Sequence, residues 1–501
     1  MFDMFWVGFS AILEPIALIL ILVGVVVGIV FGAVPGLTGT MAVAICVPLT
    51  YTMQPIQGIA FLIGLYIGSC SGGLISAILL NIPGTLSSIA TTFDGAPMAK
   101  KGQAGKALGA GIVFSFLGGM FSFLILFFIA PPIADIAVQF GPIEYFSIAL
   151  FALTLVSSVS GHSLLKGLLS ALLGIAISLV GISPIDGLPR YTYGMSELNA
   201  GFALLPTLIG IFAVSELLKT AREGLPDEAH TISDYKIKGF GFSLRELKEQ
   251  LSNFVRSSLI GTAIGILPGI GGSTSNLLAY ITAKNRSKHP EKFGTGILDG
   301  VVASESANNA SIGGSLVPLL TLGIPGDGVT AMLLGALMIH GLTPGPLLFT
   351  TNGDLIYGIF AALIVANLFM LMVEFCGIRV FVQILRVPKY ILMPVIMVLC
   401  AVGTFGNNNR LFDVWVTLVF GIVGYLLSRF EYPLTPVILG FVLGSMAELN
   451  FRRGMMLTQG SLLPFLTKPI SAVFLLAALL SVALSIYKRT KKSNAQRQSG
   501  T

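Results

Sequence analysis

Charge is what this chain lacks most. Only 10% of its 501 residues are Asp, Glu, Lys or Arg, against about 25% in a soluble domain. Such a chain cannot cover a water-facing surface, which excludes an ordinary soluble globular protein. Cysteine is also scarce: Cys46, Cys70, Cys376 and Cys400 all lie in apolar runs without metal-type spacing. A disulfide framework and a thiolate metal centre are therefore excluded, and buried free thiols are expected. The four histidines, His162, His230, His289 and His340, are scattered and are expected to be solvated at helix ends. There is no HExxH and no Walker A motif; GQAGK at 102–106 lacks the P-loop spacing and the following Ser or Thr. No enzyme and no bound cofactor is expected. The N-terminal MFDMFWVGFS has no basic region of a signal peptide, so insertion by the chain's own helices is expected.

What is abundant is apolar sequence: 54% of residues are hydrophobic and the mean hydropathy is +0.89. Runs such as 16–34 and 107–130 have about the length that crosses a bilayer as helix, and no strand-like alternation accompanies them. The expected fold class is an all-α polytopic membrane protein. The net charge of +6 comes from basic residues clustered at segment ends, the pattern of the positive-inside rule rather than of nucleic-acid binding.

Within this apolar sequence one signature occurs twice. Gly28, Gly32, Pro35, Gly36 and Gly39 are matched 233 residues later by Gly261, Gly265, Pro268, Gly269 and Gly272. Ile82-Pro83-Gly84 recurs as Ile324-Pro325-Gly326, with Gly72 matching Gly314, at an offset of 242. Each half is expected to hold a re-entrant hairpin (arms 16–34 and 38–52 in the first) followed by a broken helix. Lys100, Lys101 and Lys106 follow the first break, whereas Lys284, Arg286, Lys288 and Lys292 precede the second. Placing every cluster on one side requires the two repeats to be inverted. The expected organisation is a first repeat over 1–218 (tip 35–40, break 81–85) and a cytoplasmic linker over 219–256. A second repeat follows over 257–460 (tip 268–274, break 324–328), then a final helix with a basic cytoplasmic tail over 461–501. Further helices are expected at 107–130, 143–157, 164–182, 201–218, 355–376, 390–404, 414–427, 433–446 and 462–487. The N-terminus is expected on the periplasmic side and the C-terminus in the cytoplasm.

Paired breaks near the bilayer midplane are the sequence pointer to a transport site. Helix N-termini carry partial positive charge and free amides suited to a carboxylate, while loose carbonyls suit a cation. Candidate substrate-binding residues are Pro35, Gly36, Thr38, Gly39, Thr40, Asn81, Pro83, Gly84, Thr85, Pro268, Gly269, Gly271, Gly272, Ser273, Thr274, Pro325 and Gly326. Intramembrane acids default to functional candidates; Glu305 and Asp327, with Asn308 and Asn309, are the candidates for holding a coupling cation or proton. Asp327 could equally cap the half-helix that starts there. For Gly24 and Gly28, close helix packing is the expected role.

At these residues the chain resembles the large membrane (permease) subunit of the tripartite tricarboxylate transporters. The resemblance rests on GxxxGxxPGLTG at 28–39, GGLISAILLNIPGT at 72–85, FDGAPMAKKGQAGKALG at 93–109, LPGIGG at 267–272, ASESANNASIGGSLVPLLTLGIPGD at 303–327 and GLTPGP at 341–346. It implies a bacterial inner-membrane secondary transporter that imports an organic carboxylate, of tricarboxylate or dicarboxylate type, with Na⁺ or H⁺. It also implies two partners: a small membrane subunit of about four helices and a periplasmic solute-binding protein. A Na⁺ site would lie at the hairpin tips. A homodimer is compatible with the sequence. The rival expectations are a stand-alone carboxylate symporter or channel and a non-transporting assembly subunit.

Overall fold

The computed structural model describes residues 2–159, 163–223, 241–384 and 389–499. Among them, nine helices are long and apolar enough to cross a membrane. In the first half, α1 (Phe2–Ile12) precedes α2 (Pro15–Ala33) and α3 (Gly39–Thr50), the two arms of a hairpin. Next come α4 (Pro55–Leu79), α5 (Ile89–Met98), α6 (Ala104–Ala137), α7 (Pro142–Val159) and α8 (Leu164–Ser178). Then α9 (Leu204–Leu208) passes through a π-helical turn, Ile209–Val214, into α10 (Ser215–Glu223). The second half opens with the hairpin arms α11 (Leu244–Ile266) and α12 (Gly271–Arg286), followed by α13 (Leu298–Leu322) and α14 (Gly328–Ile339). After a short α15 (Leu348–Thr351) come α16 (Gly353–Ile384), α17 (Lys389–Asn408), α18 (Leu411–Arg429) and α19 (Leu434–Leu457). A single turn, α20 (Leu463–Thr467), leads to α21 (Pro469–Ser499).

Glycine decides how tightly these helices meet. A Cβ on Gly24 would sit 2.3 Å from the Phe61 carbonyl oxygen, and one on Gly28 2.4 Å from that of Leu65. Gly64, Gly68 and Gly72 return the contact from α4 onto Ile21, Val25 and Ile29. The rising register on both helices shows that α2 and α4 run parallel, backbone against backbone. The second half repeats this: Gly261 meets Ala307, Gly265 meets Ser311, and Gly314 meets Thr262, so α11 and α13 are also parallel. Small residues at regular spacing permit this approach in a membrane, where packing rather than hydrophobicity holds helices together.

The two halves run in opposite directions. Asn308 on α13 donates to the Cys70 carbonyl of α4 at 3.0 Å, while Gly111 has Leu74 and Glu305 as its neighbours. As α4 advances from 70 to 74, α13 recedes from 308 to 305. The returning arms then cross over. Arm α3 lies along α14, with Gly39 beside Val329 and Thr50 3.3 Å from His340. Arm α12 lies along α5, with Asn276 accepting from the Ala90 amide at 2.8 Å and Tyr280 donating to Asp94 at 2.8 Å. Each hairpin is thus completed by the other repeat.

Basic side chains gather at one end. Lys101 donates to the Thr295 carbonyl at 2.6 Å, Lys106 pairs with Glu246, and Lys284 and Arg286 end α12. Glu246 also accepts from the Ser243 amide at 2.8 Å, closing a capping box on α11. These hydrogen bonds, led by that from Lys106, hold the Glu246 carboxyl below its ordinary range. At the same end Asp94 is fully buried. It accepts the Tyr280 hydroxyl and the amides of Gly294, Gly296 and Ile297 at 2.8–3.0 Å. It clasps the first repeat to the loop that opens α13.

Several expectations change in detail. The polar stretch 219–256 is helical at both ends, through Glu223 and from Leu244; residues 224–240 of that linker lie outside the described residues. The helix expected over 164–182 stops at Ser178. Gly181 at φ 120° and Gly187 at φ 68° instead turn the chain into a two-stranded ribbon, Gly181–Ile182 with Pro189–Arg190. The last helix starts at Pro469 rather than 462, because Pro464 and Pro469 break the run. Of the thiols, Cys46 and Cys400 are buried, Cys70 is partly open and Cys376 is exposed, so burial does not hold for all four. His340 is half-buried against Thr50 and His289 is exposed, while His162 and His230 lie outside the described residues.

Candidate functional site

The chain leaves its helices where proline and glycine dictate. Asn81 at φ 57° precedes the Pro83-Gly84 break. Gly323, left-handed at φ 71°, ends α13 before Pro325-Gly326. After each break the strand folds back on its own repeat. A Cβ on Gly84 would lie 2.1 Å from the Gly32 carbonyl, and one on Gly326 2.8 Å from that of Gly265. Gly36 and Gly269 form the hairpin tips at φ 91° and 73°, with Gly271 following at φ 63°. Only glycine adopts these angles without strain.

The residues that follow the four irregular turns line one open cavity of about 750 Å³. Into it point the N-terminus of α3 with Thr38, Gly39 and Thr40, and that of α12 with Gly271, Gly272 and Ser273. Thr85, Leu86 and Ser87 of the turn that leads α5 join them, as do Asp327, Gly328 and Val329 at the head of α14. Thr38 caps α3, accepting the Met41 amide at 3.1 Å. The α12 terminus has no side-chain cap, and the buried Thr85 Oγ1 has no hydrogen-bond partner. Free amide dipoles in such a place favour an anion.

Asp327 is the acid in this ring. It caps α14 by accepting the Thr330 amide and hydroxyl, each at 2.8 Å, and it also accepts the Tyr66 hydroxyl. Capping and cavity-lining coincide in this one side chain. Around Gly272 three further oxygens gather. A Cβ there would lie 2.9 Å from Ser87 Oγ, 3.0 Å from Asn308 Oδ1 and 3.1 Å from Ser311 Oγ. Asn308 Oδ1 is buried without a partner. Among the described residues no three His, Cys, Asp or Glu side chains form a metal-type cluster, so any cation here would rest on neutral oxygens and at most one or two carboxylates.

The structure thus brings together Thr38, Gly39, Thr40, Thr85, Gly269, Gly271, Gly272, Ser273 and Asp327. Pro35 and Gly36 instead line a separate crevice with Leu217, Thr220, Leu392 and Met393. Asn81, Pro83, Gly84, Pro268, Thr274, Pro325 and Gly326 are outside the cavity lining; the glycines among them hold the breaks against α2 and α11. Glu305 is fully buried on α13. It accepts from Thr91 and from Ser115 at 3.1 Å, and Asn309 donates to its backbone carbonyl at 3.2 Å.

Other residues at the site were not singled out from sequence. Tyr66, Ser69 and Cys70 line the cavity from α4, and Phe212, Ser215, Glu216 and Lys219 from the π turn and α10. The π turn was invisible in the apolar pattern, although such turns concentrate at functional sites. Glu374 on α16 is, with Asp94 and Glu305, another fully buried carboxylate, accepting from Ser71 at 2.8 Å. An acid inside an apolar run is itself the signal that would have found it.

Two inverted hairpin repeats closing on one polar cavity define the architecture of an inverted-repeat permease. The chain belongs to the tripartite tricarboxylate transporter TctA family, whose model matches residues 18–439. It is therefore the large permease component of a tripartite system, a class that works with a binding protein and a small membrane subunit. An uncharacterized 52.8 kDa protein from the TAR-I ttuC' 3' region of Agrobacterium vitis is 36% identical over 480 residues, covering 96% of this chain and 95% of the relative. A protein from the TAR-II ttuC' 3' region of the same organism is 38% identical over 236 residues, covering 47% of this chain and 98% of the relative. No solved structure matches.

Proposed function

We propose that this permease moves an organic carboxylate, of tricarboxylate or dicarboxylate type, into the cell by Na⁺ or H⁺ symport. It takes the solute from a periplasmic binding protein and sits in the inner membrane beside a small four-helix subunit. The observation that carries this reading is the convergence of four helix-leading segments, α3, α12, α14 and the turn before α5, on one hydroxyl-lined cavity. Amides and hydroxyls there hold the carboxylate without a buried fixed cation. The coupling ion is held by acid and amide oxygens, with Asp327 at the cavity wall and Glu305, Asn308 and Asn309 behind it. Its charge offsets that of the solute, which lowers the cost of moving the loaded site through the membrane. The end bearing Lys100, Lys101, Lys284 and Arg286 faces the cytoplasm under the positive-inside rule, placing the His340 end outside. Movement of the two hairpins and broken helices against the remaining helices, in the manner of an elevator, provides alternating access.

The test is uptake into vesicles containing the permease, the small subunit and the binding protein. A carboxylate panel is offered with Na⁺ and pH gradients imposed separately. Accumulation against the solute's gradient, driven by one of the two ions, is expected, with Thr38→Val and Ser273→Ala each lowering uptake. Normal uptake in both variants at wild-type expression would leave the hairpins with a packing role only. Uptake without any binding protein would favour a stand-alone symporter.

A further inference from the structure

The geometry points to a second anion site, at the basic end of the molecule, that receives the carboxylate as it leaves the central cavity. This inference rests on the carboxylate reading above. A cavity of about 350 Å³ is lined by Lys219, Arg222, Tyr425, Ser428 and Arg429. Three of those five residues are cations and none is an acid. The central cavity has the opposite balance, with Asp327, Glu216 and Glu431 against Lys219 alone. Lys219 and Ser428 line both cavities, so the two adjoin.

The position of this vestibule follows from the packing. Leu204 and Leu205 flank Gly335 in α14, whereas Phe212 flanks Gly328 at its start. The α9–α10 segment therefore runs against α14, away from the His340 end, and Lys219 and Arg222 lie beyond the cavity toward the basic end. Helix α18 runs alongside in the same direction: Thr417 donates to the Pro206 carbonyl at 3.0 Å, and Gly424 packs on Ile211 and Ser215. That brings Tyr425, Ser428 and Arg429 level with Lys219 and Arg222.

The chemistry suits a polycarboxylate. Two guanidiniums can each take a carboxylate in a two-pronged hydrogen bond, and a lysine supplies a mobile third charge. The Lys219 Nζ is 3.4 Å from Glu216 Oε1, with both side chains partly exposed. Pairs of that kind hold weakly, so a passing carboxylate can replace Glu216 as the partner of Lys219. The positive-inside rule accounts for cations at this end, but not for three of them lining a cavity that adjoins the transport cavity. Lys219 becomes the hand-over point between dipole-held and cation-held solute.

The experiment uses citrate as probe on the full complex in vesicles. Half-saturation is measured separately from each face, in Lys219→Gln, Arg222→Gln and Arg429→Gln, alone and together. The triple variant is expected to raise the ratio of basic-face to opposite-face half-saturation about tenfold and to remove most of its salt dependence. Arg222→Lys and Arg429→Lys should restore part of it. A second readout needs no variant: citrate should slow phenylglyoxal modification of Arg222 and Arg429 in the wild type, with exposed Arg245 as control. Equal shifts at both faces, no shift, or no protection would overturn the proposal. So would protection that follows phosphatidylglycerol in the vesicles rather than citrate, which would make the site a lipid headgroup site. Protection by citrate without flux of any carboxylate of the panel in the wild type would sink the transport reading and leave the anion site standing. Normal flux without protection would do the reverse.

Discussion

Asp327→Asn separates a helix cap from an ion-coupling group, because the two roles predict opposite signs. As a cap, Asp327 accepts from the Thr330 amide and hydroxyl at 2.8 Å. Asn retains an acceptor oxygen there, so the fold should lose only a few tenths of a kcal/mol, whereas Asp327→Ala should lose about 1–2 kcal/mol. As a charge, Asp327 opposes an anion in the same cavity. At a separation of about 5 Å and an effective dielectric of about 20, that repulsion is about 3 kcal/mol, or roughly 10² in Kd. If no cation sits between them, removing the charge should tighten carboxylate binding by about that factor. If Asp327 holds the coupling ion, Asn should instead weaken binding and abolish its dependence on Na⁺ or pH. The symport reading expects the second outcome. The assay is carboxylate binding to the purified permease with and without Na⁺ and across pH, alongside thermal unfolding in detergent. Tighter binding with unchanged ion dependence would refute the assignment of Asp327 to coupling.

Four further outcomes follow from the packing and the basic end. Gly28→Ala places a methyl 2.4 Å from the Leu65 carbonyl oxygen; the backbone cannot swing aside, so about 1–3 kcal/mol of stability should be lost, read as a lowered Tm. Gly102→Ala meets nothing within 4 Å and should cost no more than about 1–2 kcal/mol, from its left-handed φ alone. Asp94→Ala leaves three part-buried amides and the Tyr280 hydroxyl without their acceptor; a loss of about 1–3 kcal/mol is expected, measurable as the Tm difference from Asp94→Asn. Glu246 titrates below its ordinary value of 4.5 in the folded state. Its contribution is therefore present above about pH 4.5 and lost as pH falls through the lower folded value. Wild type should lose more Tm than Glu246→Gln between pH 6 and pH 3.5; equal losses would remove Glu246 from the basic-end clasp.

Much of the fold was legible in the sequence because its rules are local. Gly28, Gly32, Pro35 and Gly36, and their partners Gly261, Gly265, Pro268 and Gly269, specify a close-packed arm and a tight tip through backbone sterics alone. Lys100, Lys101, Lys284 and Arg286 carry the inversion through charge placement. The site was legible only in part, because lining a cavity depends on tertiary register. Thr38, Thr85 and Ser273 face the space, whereas Asn276 and Ser275, in the same polar run, tie α12 to α5 and α13. Tyr66 and Lys219 were hidden for the same reason: an apolar helix and a basic linker each contribute one side chain from an otherwise unremarkable stretch. Helix α13 has a low mean hydropathy for a span, yet it is buried along nearly its whole length. Lipid never meets it, so its polar face is set by its neighbours.

The crossed hairpin arms have a consequence for how the protein is made. Arm α3 finds its neighbour in α14 and arm α12 in α5, so no hairpin meets its final partner until the other half has been synthesised. The first break and the first hairpin enter the bilayer well ahead of the segments that will cover them: Ala90 lies 186 residues before Asn276, and Thr50 290 residues before His340. During that interval their free amides and hydroxyls have only water or lipid for company, and hydrocarbon cannot satisfy them. Insertion is then a matter of timing: a half-built molecule carries an open polar seam that only the second repeat can close.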